Sequence, residues 1–255
     1  LKAGKLHDSA ITVNGKTVAE NYAETTTQDT DVIRTFQNPM LENAGFIVLK
    51  GNIFDSAVMK TSVISDSFRS QYLDKPGSKN VFEVRAIVFE GPEDYRKRIN
   101  DPQLNINVDC ILVIRGCGPV GYPGSAEVVN MQPPDKLIRE GILELPTLGD
   151  GRQSGTSGSP SILNISPESA VGGGLALLKT GDMLRIDLNQ GSLDVMLDKS
   201  ELQKRHDELK TEEIENQTPW QEIYRNTVGQ LSSGGIIELA AKYRKIRNTI
   251  PRHSH

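Results

Sequence analysis

The sequence predicts one β-rich domain with peripheral helices, and three observations carry this prediction. Short runs of β-branched and aliphatic residues recur between positions 45 and 197, each bounded by Gly, Asn or Asp, as strands are. Helix-like segments are fewer and lie between or after these runs. The chain of 255 residues is also long enough for a core, because chains of this size bury roughly 70–75 % of their unfolded surface.

Six segments are predicted as strands, and they cover residues 45–51, 57–64, 80–91, 109–116, 182–188 and 193–197. We expect 109–115 and 182–197 to lie in the core. The four residues from Asn189 to Ser192 predict a hairpin turn, since Gly191 can take a positive φ.

Three segments are predicted as helices, namely 133–143, a short segment after Ser166, and 199–210. Ser166 is the predicted N-cap of the second, Pro167 suits its first position, and Glu168 complements the helix dipole. The glycines at 172–174 should keep that helix short or place it close against a neighbour.

The chain changes character near residue 200. A charge-rich segment predicts a solvated helix, and Trp220, Ile223, Tyr224 and residues 234–243 then predict a packed C-terminal segment. We therefore expect a β-rich domain over residues 1–200 and a helical extension over 201–255 that packs on it.

Composition excludes some partners. The chain is 36 % hydrophobic and 24 % charged with a net charge of −4, so it lacks the basic excess that nucleic-acid phosphates require. We find no apolar run near the roughly 18 residues of a membrane span and no signal-peptide core. We expect a cytoplasmic protein without a membrane partner, and the first residue, Leu1 rather than Met, suggests a piece of a longer chain.

Two cysteines, Cys110 and Cys117, are present. Their spacing fits no zinc pattern, and an iron–sulfur cluster needs three or four thiolates. We expect Cys110 to be a buried strand residue, while Cys117 beside two glycines is either structural or functional.

Two glycine-rich loops carry the candidate site residues. In the loop 115–135, Glu127 is either a surface glutamate or a metal ligand or acid/base group. In the stretch 150–169, Ser154 and Thr156 are either plain loop hydroxyls or active-site groups, and Arg152 could bind a carboxylate. The four histidines lie in polar or terminal stretches, so no Ser-His-Asp triad can be inferred. We expect the loops 116–131 and 149–160 to lie near each other.

Three motifs resemble one enzyme family. GPVGYPGSAEVVNM (118–131), LGDGRQSGTSGSPSILNISPES (148–169) and ITVNGKTVAENY (11–22) are similar to the C-terminal half of the family that contains dihydroxy-acid, phosphogluconate and aldonic-acid dehydratases. The resemblance covers about residues 1–200 and implies a barrel-like, swivelling C-terminal domain with flanking helices. The loop sequence GRQSGTSG resembles that of the pentonate dehydratases more than the GRFSGGT form of dihydroxy-acid dehydratase. In the other loop, Ser125 stands where Met is commoner in the family.

The resemblance also implies roles for individual residues. Ser154 matches the base that takes the C2 proton, and Thr156 matches a second catalytic hydroxyl. Arg152, Gln153 and Gly155 belong to the same motif and are expected to bind substrate. Glu127 matches a Mg²⁺ ligand, whereas the cysteines of the iron–sulfur cluster and the other Mg²⁺ ligands belong to the family's N-terminal domain.

The implied function is that of the C-terminal part of an iron–sulfur, Mg²⁺-dependent hydro-lyase. It would convert a sugar acid to a 2-keto-3-deoxy acid, with its own N-terminal domain as partner and as part of a homo-oligomer. We expect the isolated chain to bind no iron and to be inactive. The alternatives are a dihydroxy-acid dehydratase of branched-chain amino-acid biosynthesis and a non-catalytic binding or scaffold module of the same fold.

Overall fold

Eight strands close into a barrel in the computed structural model of the protein, which describes residues 1–42, 44–125, 127, 131–153, 160–210 and 214–243. The strands are β1 (Phe46–Gly51), β2 (Phe54–Lys60), β3 (Val81–Glu90), β4 (Cys110–Arg115), β5 (Thr147–Gly149), β6 (Ser161–Ser166), β7 (Met183–Asp187) and β8 (Ser192–Val195). Their order around the barrel is β1-β2-β6-β5-β4-β3-β7-β8. The expected β-rich, barrel-like fold with flanking helices is confirmed.

Short helices connect and flank the strands. The α-helices are α1 (Val18–Tyr22), α2 (Asp66–Phe68), α3 (Gly91–Arg98), α4 (Asp135–Arg139), α5 (Lys199–Glu208), α6 (Pro219–Thr227) and α7 (Glu238–Ala241). A π-helical turn covers Arg69–Leu73, and 3₁₀ turns cover Thr61–Val63, Pro102–Leu104, Ser169–Val171, Gly174–Leu177 and Leu231–Ser233. Among the described residues, no helix is long and apolar enough to cross a membrane.

Contacts divide the chain into two compact units, Leu1–Asn43 and Ala44–His255. In the first unit, α1 begins with a capping box, since Glu20 N donates to Thr17 Oγ1 at 3.1 Å and Thr17 N donates to Glu20 Oε2 at 2.6 Å. The second unit holds the whole barrel. The division expected at residue 200 stays a prediction.

Both faces of the central strands are buried, which explains their continuous apolar sequences. Along β4, Ile111 and Val113 belong to one core cluster with residues of β1, β2 and β7. Cys110, Leu112 and Ile114 point to the other face and belong to a second cluster, which includes Leu137 of α4. The period-2 alternation of a strand thus feeds two cores.

All six predicted strands are present, with shifted ends. The second ends at Lys60 instead of residue 64, because Phe46, which pairs with Lys60, is the first residue of β1. The predicted turn before β8 is confirmed, and Gly191 has φ +65°. The short strands β5 and β6 and the helix α3 were not predicted from the sequence.

The predicted N-cap at Ser166 is wrong. Ser166 is the last residue of β6 and is buried, and its hydroxyl donates to Asn164 O and accepts from Ser232 N. A 3₁₀ turn, Ser169–Val171, follows in place of an α-helix and ends at Gly172, whose φ is +83°. A Cβ on Gly173 would lie 2.0 Å from Pro167 O, so the glycines do keep this segment short and close.

The segment after residue 200 packs only in part. The predicted helix 199–210 is confirmed as α5. In the following part, Val228 is buried, whereas Trp220 and Ile223 of α6 are 77 % and 53 % exposed. The expectation that Trp220 packs is therefore wrong for the described chain, and polar contacts hold this segment instead.

Candidate functional site

Four parallel strands end on one edge of the barrel. The strands β3, β4, β5 and β6 pair in parallel, so their carboxyl ends, Glu90, Arg115, Gly149 and Ser166, lie side by side. Loops at the carboxyl ends of parallel strands are where α/β proteins place their ligand sites. Both glycine-rich loops leave from this edge. We call residues 116–125 the β4 loop and residues 150–153 the β5 loop.

The two loops meet, as predicted. Arg152 Nη2 lies 3.0 Å from Glu127 Oε1, and Arg152 Nε donates to Ser125 O at 2.9 Å. The side chains of Arg152 and Glu127 remain 48 % and 39 % exposed. An ion pair this exposed contributes only about 0–1 kcal/mol. It therefore brings the two candidate residues together without locking them to each other.

A fully buried carboxylate, Asp150, joins three strand ends. It accepts hydrogen bonds from Gly116 N (3.1 Å) and Cys117 N (2.8 Å) at the start of the β4 loop. It also accepts from Ser169 N (3.0 Å) and Ser169 Oγ (2.5 Å) after β6. Charge-assisted bonds to backbone amides compensate the loss of water around a buried charge. Asp150 thus fixes the root of the β4 loop.

A second fully buried carboxylate, Glu168, binds the middle of the same loop. It accepts from Val120 N and Gly121 N, each at 2.9 Å, and from Gln230 Nε2 at 2.9 Å. Burial raises the pKa of Glu168, and the amide and Gln230 bonds oppose this shift. The role predicted for Glu168, to complement a helix dipole, is wrong, since its side chain serves the loop.

Two glycines of the β4 loop allow this close contact. A Cβ on Gly118 would lie 2.4 Å from Glu168 Oε2, and one on Gly121 would lie 2.8 Å from Gly116 O. Neither distance is compatible with a side chain. The loop composition that drew attention in the sequence is thus required by the buried Glu168.

The β4 loop ends in an unusual serine. Ser125 has φ +49° and follows Gly124 at φ +91°. Ser125 is buried, and within the part of the chain that the structure describes its hydroxyl has no hydrogen-bond partner. Its backbone is held on both sides, because Ser125 N donates to Tyr122 O and Ser125 O accepts from Arg152.

The β5 loop is anchored on β6. Gln153 N donates to Asn164 Oδ1 at 2.6 Å, and Asn164 N donates to Gly151 O at 2.9 Å. The predicted residues Ser154, Gly155 and Thr156 lie outside the described residues. Their roles, and the substrate and metal roles of Arg152, Gln153 and Glu127, stay predictions.

A cleft of about 680 Å³ adjoins this edge, lined among others by Glu90, Arg115, Tyr122 and Ala170. Arg115 uses its guanidinium for hydrogen bonds within the protein. Its Nε donates to Glu90 Oε2 at 2.8 Å, and its Nη1 donates to three backbone carbonyls. Its guanidinium therefore shapes the wall of the cleft.

The described residues fit a metal ion only in part and do not fit an iron–sulfur cluster. Among the described residues, no group of three or more His, Cys, Asp or Glu side chains could hold a metal ion. Glu127 offers the hard oxygen donor that Mg²⁺ prefers, so it fits as one ligand of several. Cys110 and Cys117 are both buried, and burial raises the pKa of the Cys117 thiol. Two buried thiols do not fit a cluster.

Asp150 and Glu168 were missed as site residues. For Asp150 the sequence carries little signal, because the residue follows β5, which has only three residues. For Glu168 the sequence carries no signal, because its partners, Val120, Gly121 and Gln230, are 47 or more residues away.

Comparison with known proteins identifies the family. A family model for the C-terminal domain of dihydroxy-acid/6-phosphogluconate dehydratases matches residues 31–235. The chain belongs to this dehydratase family.

The names of several relatives refer to different substrates. D-xylonate dehydratase of Caulobacter vibrioides is 56 % identical over all 255 residues, which cover 43 % of that protein. L-arabinonate dehydratase of Rhizobium leguminosarum bv. trifolii is 39 % identical over 80 % of the chain and 34 % of its own length. Dihydroxy-acid dehydratase of Acetivibrio thermocellus is 33 % identical over 93 % of the chain and 40 % of its own length. The chain thus spans less than half of these relatives.

Proposed function

We propose that the chain forms one wall of the active site of a sugar-acid dehydratase, which converts an aldonate to a 2-keto-3-deoxy acid. The observation that carries the proposal is the 56 % identity with D-xylonate dehydratase over the full 255 residues. The contact between Arg152 and Glu127 supports it, because it joins the two loops that hold the expected substrate-binding and metal-binding residues.

Arg152 is proposed to bind the substrate carboxylate, and Gln153 to hydrogen-bond a substrate hydroxyl. Arg152 is paired with Glu127 at 3.0 Å in this structure. Since the pair is half-exposed, exchange of Glu127 for a substrate carboxylate costs little. Substrate binding would then release Glu127 to act as a ligand of Mg²⁺.

Ser154 is the proposed base. Its alkoxide takes the proton from C2 of the substrate, the C3–O bond breaks with its electron pair, and the C3 hydroxyl leaves as water with one proton, which balances the proton removed from C2. The resulting enol tautomerises to the 2-keto acid. Bound Mg²⁺ and an iron–sulfur cluster supply the positive charge that makes a serine hydroxyl acidic enough for this role. Thr156 is proposed to orient Ser154 or substrate, and Gly155 to bind substrate.

The remaining parts of the site are proposed to come from an N-terminal domain of the same protein. The chain covers 43 % of D-xylonate dehydratase, and its two buried cysteines do not fit a cluster. We therefore place the cluster cysteines and the other Mg²⁺ ligands in that domain. We further propose a cytoplasmic homo-oligomer, in which the isolated chain is inactive.

The substrate class is tested with the full-length protein, purified without oxygen and supplied with iron, sulfide and Mg²⁺. D-xylonate, L-arabinonate and 2,3-dihydroxy-3-methylbutanoate are compared by the 2-keto acid formed. We expect at least tenfold higher kcat/KM for a sugar acid. A preference for the branched-chain substrate would indicate a dihydroxy-acid dehydratase, and turnover of none by a protein with bound cluster would indicate a scaffold module.

The base is tested by Ser154→Ala in the same protein, with Ser157→Ala in the same loop as the matched control. Loss of the base should lower kcat by about 10²–10⁴-fold, while the control stays near the wild-type rate. Exchange of the C2 hydrogen with solvent isolates the proton-transfer step. A Ser154→Ala enzyme that exchanges this hydrogen at the wild-type rate would exclude Ser154 as the base.

A further inference from the structure

The segment after residue 200 reaches the candidate site through two side chains, Arg225 and Gln230, which we call the C-terminal clasp. Arg225 Nε donates to Val120 O of the β4 loop at 2.9 Å. Gln230 binds Glu168 twice, because Gln230 Nε2 donates to Glu168 Oε1 at 2.9 Å and Gln230 Oε1 accepts from Glu168 N at 2.8 Å. Both side chains thus act on the same stretch of loop.

The bonds form a continuous chain from the clasp to the site. Glu168, which Gln230 binds, accepts hydrogen bonds from Val120 N and Gly121 N, and Arg225 donates to the carbonyl of Val120. Hydrogen bonds therefore hold the N–H groups of Val120 and Gly121 and the carbonyl of Val120, which lie seven and six residues before Glu127.

Fixed orientation of Glu168 depends on Gln230. A buried carboxylate needs hydrogen-bond donors at both oxygens. Oε2 accepts from Gly121 N at 2.9 Å, Val120 N reaches both oxygens at 2.9 and 3.1 Å, and Gln230 Nε2 donates to Oε1 alone at 2.9 Å. Without the Gln230 donor, Oε1 keeps only an amide that it shares with Oε2, so the position of the carboxylate relative to the loop amides is less well fixed.

We propose that Gln230 and Arg225 are positioning residues for the β4 loop and, through it, for Glu127, so that the segment after residue 200 is part of the catalytic assembly. This inference rests on the proposed function, in which Glu127 is a Mg²⁺ ligand. The Glu127–Arg152 pair is too exposed to fix the loop. Its position must come from the backbone bonds behind it, and a shift of about 1 Å in a catalytic group can cost about 10²-fold in rate.

An exchange of the two side chains tests the proposal. Gln230→Glu places two carboxylates against each other, and Glu168→Gln places two amide donors against each other. The double variant Glu168→Gln/Gln230→Glu restores one donor facing one acceptor, and the amide oxygen that it introduces at position 168 can still accept from the loop amides. The control is Gln221→Glu, the same change in α6, where Gln221 Oε1 only accepts from Gln217 N.

Three quantities are measured on the full-length protein: the Mg²⁺ dissociation constant by titration, kcat/KM for D-xylonate, and the melting temperature. We expect each single variant to weaken Mg²⁺ binding and to lower kcat/KM at least tenfold. The double variant should return both to within threefold of wild type, and Gln221→Glu should change neither. Rescue by the exchange shows that the variants act through this pair.

Two results separate failure of this inference from failure of the proposed function. Single variants that lower the melting temperature but leave Mg²⁺ affinity and kcat/KM within twofold of wild type would overturn the inference, because the clasp would then be structural only. A wild-type protein that binds Mg²⁺ but dehydrates no sugar acid would refute the proposed function, and the Mg²⁺ affinities of the variants would still decide the inference.

Discussion

The two ends of the barrel are held by different forces. Where β3 and β4 begin, the rings of Phe68, Tyr72 and Phe82 pack with centroids 4.6 to 6.2 Å apart, and Tyr72 also donates to Val108 O. Where the same strands end, the buried carboxylates of Asp150 and Glu168 accept hydrogen bonds from backbone N–H groups. Apolar packing stabilises without fixing direction, whereas each amide bond fixes one group. The aromatic end therefore contributes mainly to the stability of the fold, and the carboxylate end mainly fixes the position of the β4 loop.

The largest effect is expected at the aromatic end. Phe68 is 1 % exposed, and Phe68→Ala should lower the free energy of unfolding by about 3–5 kcal/mol through lost packing and a new cavity. Urea denaturation of the full-length protein measures it, with Phe46→Ala, whose side chain is 64 % exposed, as the control. Below the unfolding transition, kcat/KM should be unchanged. A folded Phe68→Ala protein with tenfold lower kcat/KM would break the comparison.

At the other end, Asp150→Asn should show the reverse pattern. One acceptor oxygen becomes a donor that faces backbone N–H groups, which should cost about 1–3 kcal/mol of unfolding free energy. Because Asp150 fixes the root of the β4 loop, kcat/KM should fall at least tenfold while the protein is still folded. Asp55→Asn, on an exposed residue of β2, is the matched control. Equal kcat/KM in the two variants would contradict a positioning role for Asp150.

A smaller effect concerns pH and Glu168. Burial, and to a lesser degree the nearby Asp150, raise the pKa of Glu168 in the folded protein. The folded state then keeps a proton that the unfolded state has released, so this group stabilises the fold at low pH, and that contribution is lost as pH rises through the folded-state pKa. As the pH rises above the ordinary pKa of a glutamate, urea midpoints should therefore fall more for wild type than for Glu168→Gln. Parallel pH profiles would show that Glu168 is not the group responsible.

The smallest effect is expected at Ser125. Its buried hydroxyl has no partner among the described residues, so Ser125→Ala removes a polar atom without breaking a bond. The melting temperature should stay equal or rise slightly, since an unsatisfied buried hydroxyl carries a desolvation cost. Ser166→Ala, which removes two hydrogen bonds, is the contrasting variant and should lower it. A clear loss of stability in Ser125→Ala would reveal a partner for this hydroxyl.

The sequence predicted the parts of the fold that depend on local pattern. Long apolar runs such as β4 and the second half of β3 could be recognised because they bury both faces. The strand β5 has only three residues, and it forms because β4 and β6 lie on either side of it. Helix α3 did carry a readable signal, with Pro92 in its first turn and Arg96 to Arg98 in its last.

For the candidate site, glycine content and motif resemblance pointed to two loops, and the contact between Arg152 and Glu127 shows that these loops lie close together. Glycine content and resemblance could not show what holds the loops in place. Ser166 was assigned from its neighbours as a helix cap, but the pairing of β6 with β2 and β5 decides its conformation. Glu168 and Gln230 lie 62 residues apart in the sequence and meet only in the folded chain. Such long-range polar partners leave no periodic trace in one sequence.

The strands β1 and β8 pair over fewer residues than any other two neighbouring strands of the barrel. The two strands share one residue pair, Lys50 with Ser192, while each of the other seven neighbouring strand pairs has two or more. The gap is bridged by Asn52, whose side chain donates to Val195 O and accepts from Val195 N, as a strand backbone would. Ladder pairing along this line is therefore the shortest in the barrel, and the side chain of Asn52 replaces part of it.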